Sequence, residues 1–358
     1  MPDDSLVGAD NAGQPAPSDP VAPLFRAVWG YAASATIATA LDLELPDRLG
    51  EQTCSVKDLA AQTGAHEPSL DRLLRALVSI GVVAEPEPGT FALTRSGALL
   101  RTDVPHSMYA LARLMLHQSM WRPWARLTTS IRTGERNFEE LFGMSYWTYM
   151  KQNPEVSDLF NSAMGQATQD IVSAVVRGYD FSRYGTVVDV GGGNGTLISA
   201  ILKSSPESRG IVFDSPTGVE KAAQVLAEEG VADRCDVRSG DFFVEVPRGG
   251  DAYVMKSIIH DWSDEQSMVI LRNCREAVPV DGRLLIIDPV LPPPPVTESL
   301  ASPFAYLNDL AMLVKLGGKE RTEAEYEALL SAAGFRKTQV VSLAGPARIC
   351  LIEAVPVP

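Results

Sequence analysis

The sequence predicts an α/β protein in which an open, mostly parallel sheet follows a largely helical N-terminal region. From Leu24 to about Tyr179, apolar residues recur at helical spacing almost throughout. After Tyr179, short apolar strands alternate with helices, a rhythm typical of a parallel sheet covered on both faces. These strands are Thr186–Val190, Gly210–Phe213, Ala252–Met255 and Arg283–Ile287. Gln339–Ser342 and Arg348–Ala354 predict a closing hairpin, so at least one edge strand should be antiparallel.

Composition and charge narrow the class of protein. The 358 residues suit about two domains, 45% of them are hydrophobic, and the formal net charge is −14. An acidic chain is repelled by phosphate backbones and anionic membranes, so neither nucleic acid nor a membrane is expected as a partner. The four cysteines form no CxxC pair, and neither a membrane-length apolar run nor a leader pattern is present. We therefore expect a reduced, cytoplasmic protein.

Changes in composition and residue pattern along the chain predict its domain boundaries. Residues 1–23 contain five prolines, four aspartates and no basic residue, which predicts a disordered tail. Residues 24–100 should form a winged-helix-like domain, residues 101–179 a helical linking segment, and residues 180–358 the α/β domain. No internal repeat is evident.

The winged-helix-like prediction follows from local signals. Ser55 is a suitable N-cap, Gly64 breaks the chain before a second amphipathic helix, and Val82-Val83 and Phe91–Leu93 flank a Pro-rich turn at Pro86–Gly89. Winged helices often bind DNA, but residues 24–100 carry six Lys or Arg against nine Asp or Glu. A structural or dimerisation role is therefore favoured over a winged-helix regulator.

A glycine-rich turn is the sharpest local feature of the α/β domain. A buried strand containing Asp189 ends in Gly191-Gly192-Gly193-Asn194-Gly195, where glycines permit a tight turn and close approach of a ligand. The run lacks the spacing of a dinucleotide site. Asp214 ends the second strand, where a carboxylate can accept hydrogen bonds from both ribose hydroxyls of an adenosine. Acids at successive strand ends favour a neutral or cationic adenosine ligand over a pyrophosphate.

A third acid follows a later strand. In Gly240-Asp241-Phe242-Phe243, Asp241 can accept the exocyclic amine of adenine while Phe242 packs on the ring. The alternative for Asp241 is that it only caps a turn.

These residues resemble the S-adenosylmethionine-dependent O-methyltransferases of the caffeate, hydroxyindole and bacterial polyketide-tailoring kind. The matching motifs are Val188–Gly195, Phe213-Asp214, Gly240-Asp241-Phe242-Phe243, Met255-Lys256 through His260-Asp261-Trp262, and Gly317–Thr322. The resemblance implies a class I methyltransferase fold, with a Rossmann-like, mostly parallel seven-stranded sheet and an N-terminal all-α winged-helix-like dimerisation domain. It also implies secondary-metabolite or antibiotic biosynthesis. The donor-binding residues that it implies are Gly191, Gly193, Asp214, Asp241, Phe242 and Lys256.

His260 is the candidate catalytic residue. It lies just beyond the strand Ala252–Met255, at the sheet edge where α/β proteins bind ligands. A histidine with a pKa near ~6.5 can act at neutral pH as general base for a phenol with a pKa near ~10. The family resemblance implies that Asp288, expected to end its strand, and Glu320 hold this imidazole. The alternative for Glu320 is a salt bridge to Arg321 or Lys319, and we expect no metal ion, because no carboxylate cluster suits one.

The resemblance also places an acceptor pocket. Phe160 and Met164 are four residues apart, share a helix face and match an acceptor clamp of the family. The other acceptor-binding candidates are Met312, Asn308 on the same helix face, and Ser257, which is commonly larger in plant members. We expect a small hydroxylated aromatic acceptor. The alternative within the fold is a homologue that binds the donor without methylating.

The segment Phe25–Leu45 predicts a homodimer. It is apolar on most of its circumference and carries almost no charge, so a helix there needs burial on more than one side. In the family that it resembles, the N-terminal helices interlock two subunits.

Overall fold

The computed structural model describes residues 21–296, 303–343 and 349–357. The chain folds into two compact units, one up to Leu116 and one from His117 onward. The tail predicted for residues 1–23 lies, as far as Pro20, outside the described residues, and Val21 begins the first helix.

The first unit has the predicted winged-helix-like layout. Its helices are α1 (Val21–Asp42), α2 (Leu45–Leu49), α3 (Val56–Thr63), α4 (Glu67–Ser79), α5 (Arg95–Ala98) and α6 (Tyr109–Met115). Its strands β1 (Cys54–Ser55), β2 (Val83–Glu87) and β3 (Thr90–Leu93) pair antiparallel in the order β1-β3-β2. Ser55 caps α3 by accepting from the Asp58 amide. The hairpin is present, but β2 continues to Glu87, so its turn is shorter than predicted.

A run of helices opens the second unit: α7 (Gln118–Trp124), α8 (Leu127–Thr133), α9 (Phe138–Phe142), α10 (Tyr146–Gln152) and α11 (Pro154–Gly178). Pro154 starts α11 at a position where its missing N–H removes no hydrogen bond from the helix. This 25-residue helix carries Phe160 and Met164 one turn apart. Among the described helices of the chain, none is long and apolar enough to cross a membrane.

A large mostly parallel sheet forms the centre of the second unit. Its strands are β4 (Thr186–Val190), β5 (Arg209–Asp214), β6 (Cys235–Ser239), β7 (Ala252–Lys256), β8 (Arg283–Leu291), β9 (Arg321–Thr322), β10 (Phe335–Ser342) and β11 (Ile349–Pro356). The order is β10-β11-β8-β7-β4-β5-β6, and β9 pairs with β8. Strands β4 to β8 pair in parallel, whereas β11 pairs antiparallel with β8 and β10 with β11. The predicted antiparallel hairpin at the edge is confirmed.

Helices cover both faces of this sheet: α12 (Thr196–Ser204), α13 (Ala222–Glu228), α14 (Asp264–Ala277), α15 (Pro303–Lys315) and α16 (Glu323–Ala332). Alternate residues of one strand enter different cores: Ile286 packs in one apolar cluster with Tyr253 and Leu330, and Leu285 in another with Ile201. Strand order reverses at β4, which lies between β5 and β7. The carboxyl ends of these strands therefore open a crevice at the point where α/β sheets bind ligands.

Several strand bounds differ from prediction, notably the start of β10, which begins at Phe335 and not at Gln339, and the end of β8. Asp288 was expected to end its strand, but β8 runs on to Leu291. The extension arises because Asp288 pairs with Cys350 of β11, and Val290 pairs with Arg321 of β9. Both partners come from later in the chain, so the local apolar run gives no sign of this extension.

Candidate active site

The first wall of the crevice is the loop after β4. Gly191 has a φ of +73°, and a Cβ there would lie 2.3 Å from Ile258 Cδ1, so the turn requires glycine. By contrast, a Cβ added at Gly193 would meet no described atom within 4 Å. The loop therefore combines a tight turn with a stretch of open backbone surface that a ligand can approach closely.

Two backbone amides fix the Asp214 carboxylate at the end of β5. Its Oδ1 accepts from the Ser215 amide at 2.6 Å, and its Oδ2 accepts from the Gly193 amide at 3.0 Å. A carboxylate held in this way retains lone pairs for further donors. This is the requirement of a group that is to accept two ribose hydroxyls.

Asp241 and Phe242 follow β6 on the same edge. The Asp241 Oδ1 accepts from the Phe243 amide at 2.8 Å. Asp241 therefore does cap the turn, as the alternative for this residue proposed. The Phe242 ring packs edge-on against Trp262, with 6.1 Å between centroids. Asn273 donates to the Phe242 carbonyl at 2.9 Å, which fixes the loop to α14.

Asp189 is a buried carboxyl beneath the glycine loop. A Cβ at Gly192 would lie 2.8 Å from the Asp189 Cγ, and only 1% of Asp189 is exposed. Burial raises the pKa of Asp189 to about 7, against the opposing effect of Lys256. Among the described residues its Oδ2 has no hydrogen-bond partner. A buried polar atom of this kind is satisfied when a ligand supplies a donor.

Lys256 ends β7 between two groups of acids. Burial lowers the pKa of its ammonium, while Asp189, Asp288 and Asp261 act in the opposite direction. Its Nζ donates to Thr168 Oγ1 at 3.4 Å. The same cation is thus coupled to the carboxyl under the glycine loop and to the acids around His260.

His260 lies in a 3-10 turn, Ile259–Asp261, just after β7. Its Nδ1 is 3.0 Å from Glu320 Oε1, and its Nε2 is 3.6 Å from Asp261 Oδ1. The alternative partners proposed for Glu320 are engaged elsewhere, because Lys319 pairs with Glu325 and Arg321 with Asp264. Glu320 is therefore an imidazole partner.

The carboxylates reverse the effect of burial on His260. Burial lowers the pKa of the imidazole, but Asp288, Asp261 and Glu320 outweigh it and raise that pKa to about 10. This pKa lies well above the ordinary histidine value that was assumed from sequence. At that pKa the imidazolium matches a phenol, whose pKa is also ~10, so proton exchange between the two is nearly balanced.

Glu320 is itself held by several groups. Its Oε1 also accepts from the Asn308 amide at 2.8 Å, and its backbone N–H donates to Asp309 Oδ1 at 2.8 Å. The Asn308 side chain, predicted to orient the acceptor, thus orients the carboxylate that holds His260. Asp288 is buried and accepts from Tyr326 Oη at 3.2 Å, and among the described residues its other oxygen has no partner. Asp288 therefore acts on the imidazole through its charge and not through a direct bond.

Arg321 fixes the turn that carries His260. It is fully buried, and its guanidinium donates to the Ile259, Trp262 and Lys319 carbonyls. It also forms a two-pronged pair with Asp264 at 2.7 and 2.9 Å. A capping box of Ser263 and Gln266 anchors the same segment.

The acceptor candidates come from three elements. Phe160 on α11 packs edge-on against Trp147 and Tyr146 of α10, with centroids 6.0 and 6.4 Å apart. Met312 is buried on α15. Ser257 has a φ of +56°, a strained conformation for a non-glycine residue, and it follows Lys256 directly.

Four residues of this region were not singled out from sequence: Asp261, Lys315, Arg321 and Tyr326. Asp261 alone carried a local signal, its place next to His260. The others are charged or phenolic side chains buried by contacts from distant segments.

Comparison with known proteins identifies the family. Residues 124–336 match the O-methyltransferase domain, and residues 25–103 match the O-methyltransferase dimerisation domain. The chain belongs to the O-methyltransferase family. This confirms the class that the sequence motifs resemble.

The methyltransferase is similar to enzymes of bacterial antibiotic biosynthesis. It is 44% identical to O-demethylpuromycin-O-methyltransferase of Streptomyces alboniger, across 92% of this chain and 88% of that protein. The structure of mitomycin 7-O-methyltransferase matches with a TM-score of 0.86 and 35% identity, covering 94% and 98% of the two chains. A neocarzinostatin-biosynthesis O-methyltransferase, solved with S-adenosylmethionine and 2-hydroxy-5-methyl naphthoic acid, matches at 0.77 and 30%, covering 91% and 96%. The chain is an S-adenosylmethionine-dependent O-methyltransferase.

The crevice fits this donor. Asp189 offers a buried oxygen that has no partner in the part of the chain that the structure describes, and Gly193 leaves open backbone surface beside the Asp214 carboxylate. Among the described residues, no group of three or more His, Cys, Asp or Glu side chains is placed to hold a metal ion.

Proposed function

We propose that this methyltransferase transfers a methyl group from S-adenosylmethionine to a hydroxyl of a small or polycyclic aromatic secondary metabolite, with His260 as general base. The observation that carries the proposal is the 3.0 Å bond between His260 Nδ1 and the buried Glu320. With Nδ1–H donating to the Glu320 carboxylate, Nε2 would be the basic nitrogen.

Gly191, Gly193, Asp214, Asp241, Phe242 and Lys256 would hold the donor. The carboxylate of Asp214 suits the ribose, and Asp241 with Phe242 suits adenine. Asp189 and Lys256 would face the charged amino-acid end, where an ammonium would satisfy Asp189 Oδ2. When bound, S-adenosylmethionine supplies an electrophilic methyl group on a cationic sulfonium.

The geometry around Nε2 indicates how the acceptor hydroxyl would lose its proton. An acceptor hydroxyl placed at Nε2 would give its proton to His260 as its oxygen takes the methyl group from the sulfonium, whose sulfur–carbon bond breaks so that S-adenosylhomocysteine leaves. The imidazolium so formed would be stabilised by Glu320 and Asp261. Asn308 and Asp309 keep Glu320 in place during the transfer. Because the imidazole accepts the proton and its carboxylates stabilise the imidazolium, the proposed chemistry requires no metal ion, and added EDTA should leave turnover unchanged.

The acceptor would lie against an apolar, aromatic wall. Phe160 and Met164 of α11 and Met312 of α15 supply flat and adaptable surface for an aromatic ring. Ser257, a small residue beside Lys256, leaves room for the acceptor.

The test replaces His260 by Ala or Gln. Both variants should bind S-adenosylmethionine at least as well as the parent, while turnover with phenolic acceptors falls by ~10²–10⁴. Donor affinity is measured by calorimetry, and turnover by mass spectrometry with labelled donor. Retention of parental kcat within a few-fold would reject His260 as the base. Tight donor binding with no methylated product across a broad phenolic screen would instead favour a homologue that does not methylate.

We also propose a homodimer formed through the N-terminal unit. Helix α1 exposes more than half of each of several large apolar side chains, namely Val21, Leu24, Phe25, Val28, Trp29 and Tyr31. A second copy of the dimerisation domain would cover this face. Light scattering that shows only monomer at micromolar concentration would refute the proposal.

A further inference from the structure

A buried lysine borders the acceptor region and has no part in the methyl-transfer chemistry described above. Lys315, at the end of α15, is only 9% exposed. Among the described residues it forms no ion pair, in contrast to Lys319, which pairs with Glu325 at 2.5 Å. A buried ammonium without a close anion is costly unless a partner arrives.

The helix places Lys315 on the catalytic side. Asn308, Met312 and Lys315 follow one another at spacings of four and three, so they share one face of α15. Asn308 on that face donates to Glu320, which holds His260. The face that carries the ammonium is therefore the one turned toward the catalytic histidine.

The surroundings of the ammonium suit an aromatic ligand. Its Nζ lies 5.9 Å from the centroid of the Tyr146 ring. Tyr146 in turn packs edge-on against Phe160, the predicted acceptor contact. Asp261, whose Oδ1 is 3.6 Å from His260 Nε2, is the carboxylate whose charge opposes the lowering of the Lys315 pKa by burial.

We propose that Lys315 binds a carboxylate of the acceptor, so that the substrate is an aromatic hydroxy acid whose hydroxyl lies at His260 and whose carboxylate pairs with Lys315. This inference rests on the proposed function, because it takes the space between Phe160 and His260 as the acceptor site. A carboxylate would turn the isolated ammonium into a charge-assisted pair and fix which edge of the ring faces the base. It would also give the site a preference that an apolar wall cannot supply.

The test compares acids with their neutral analogues. Hydroxybenzoate and hydroxynaphthoate isomers and their primary carboxamides are titrated by calorimetry into the protein saturated with S-adenosylhomocysteine. In the parent, at least one acid should bind about tenfold or more tightly than its carboxamide. The Lys315→Met variant, which keeps the apolar stem, should lose about 10- to 100-fold for the acid and less than about threefold for the carboxamide. Lys315→Arg should restore the preference for the acid.

Lys203→Met is the matched control, since Lys203 is an exposed lysine of α12 paired with Glu229. It should leave both affinities unchanged, and thermal unfolding checks that each variant is folded. The inference is overturned if acid and carboxamide bind the parent equally, if no acid binds, or if Lys315→Met weakens both alike. If an acid binds through Lys315 but is never methylated, the proposed function fails while the carboxylate site stands.

Discussion

Glu320→Gln tests the electrostatic basis of the proposed base. The substitution keeps the shape of the side chain and an oxygen that can accept from His260 Nδ1 and Asn308, but it removes the charge 3.0 Å from the imidazole. Since an anionic neighbour favours the imidazolium, its removal should lower the pKa of His260 from about 10. The direction of this pKa shift follows from the loss of the negative charge alone.

The magnitude follows from two estimates. Coulomb's law at an effective dielectric of about 20 gives roughly 5 kcal/mol for two charges 3 Å apart, or about four pKa units, as an upper limit. Measured hydrogen bonds to charged groups exceed neutral ones by about 1–2 kcal/mol, or about one unit. We take the lower value, because measured bonds already include solvation. Asp288 and Asp261 remain in the variant and keep its pKa above the ordinary histidine range.

The assay is the pH dependence of kcat/KM between pH 6 and 11, together with NMR titration of labelled histidine. Only four histidines occur in the chain, so the His260 signal is assignable through the His260→Gln variant. The rising limb should move down by about one unit, and the plateau should fall because the imidazolium formed in the reaction loses its partner. Glu323→Gln, on the exposed start of α16, is the control. A parental limb near 6.5, or an upward shift in Glu320→Gln, would refute the reasoning.

Three further substitutions probe other parts of the site. Asp214→Ala should weaken donor binding by about 1.5–3 kcal/mol, and unchanged affinity in calorimetry would remove Asp214 from the donor site. The stability of Asp189→Asn relative to the parent should increase from pH 5 to pH 8. A carboxyl whose pKa is raised to about 7 stabilises the fold below its unfolded pKa of ~3.9 and loses that contribution as pH rises through 7. A difference in thermal unfolding temperature between variant and parent that is equal at both pH values would contradict this. Arg321→Met should cost about 2–4 kcal/mol in denaturant unfolding, since three carbonyls lose a buried donor. The control Lys337→Met, which breaks only pairs with exposed acids, should cost under about 1 kcal/mol.

Local signals predicted most of the fold. The apolar runs of β4, β5 and β7 and the N-cap at Ser55 are properties of a few neighbouring residues, and each is found where the sequence places it. The predicted end of β8 was wrong because the last residues of this strand pair with β9 and β11, which come later in the chain. Pairing of that kind has no local signature.

The chemistry of the candidate site was predicted less fully than its location. His260 and Glu320 were expected to meet, and they do. The raised pKa of His260 depends on Asp261, Asp288 and Glu320, which reach one imidazole from three separate segments. No local pattern in the sequence indicates that Lys315 and Arg321 are buried. Charged residues are mostly exposed in proteins, so they are predicted to be exposed unless their tertiary partners are known.

The arrangement of charges links the donor and acceptor halves of the site. Lys256 is coupled to Asp189 beneath the glycine loop and to Asp261 and Asp288, and the latter two also favour the His260 imidazolium. Positive charge added by a sulfonium donor therefore opposes the imidazolium and lowers the pKa of His260. Linkage makes this reciprocal: loss of the His260 proton must tighten donor binding by the same factor. Donor affinity should thus rise with pH toward about 10 in the parent, and the part of this rise near pH 10 should be smaller in His260→Gln, whose side chain does not titrate. Because its pKa is high, His260 is protonated in the site without donor. Binding of the donor lowers this pKa, so the loss of the His260 proton depends on the donor.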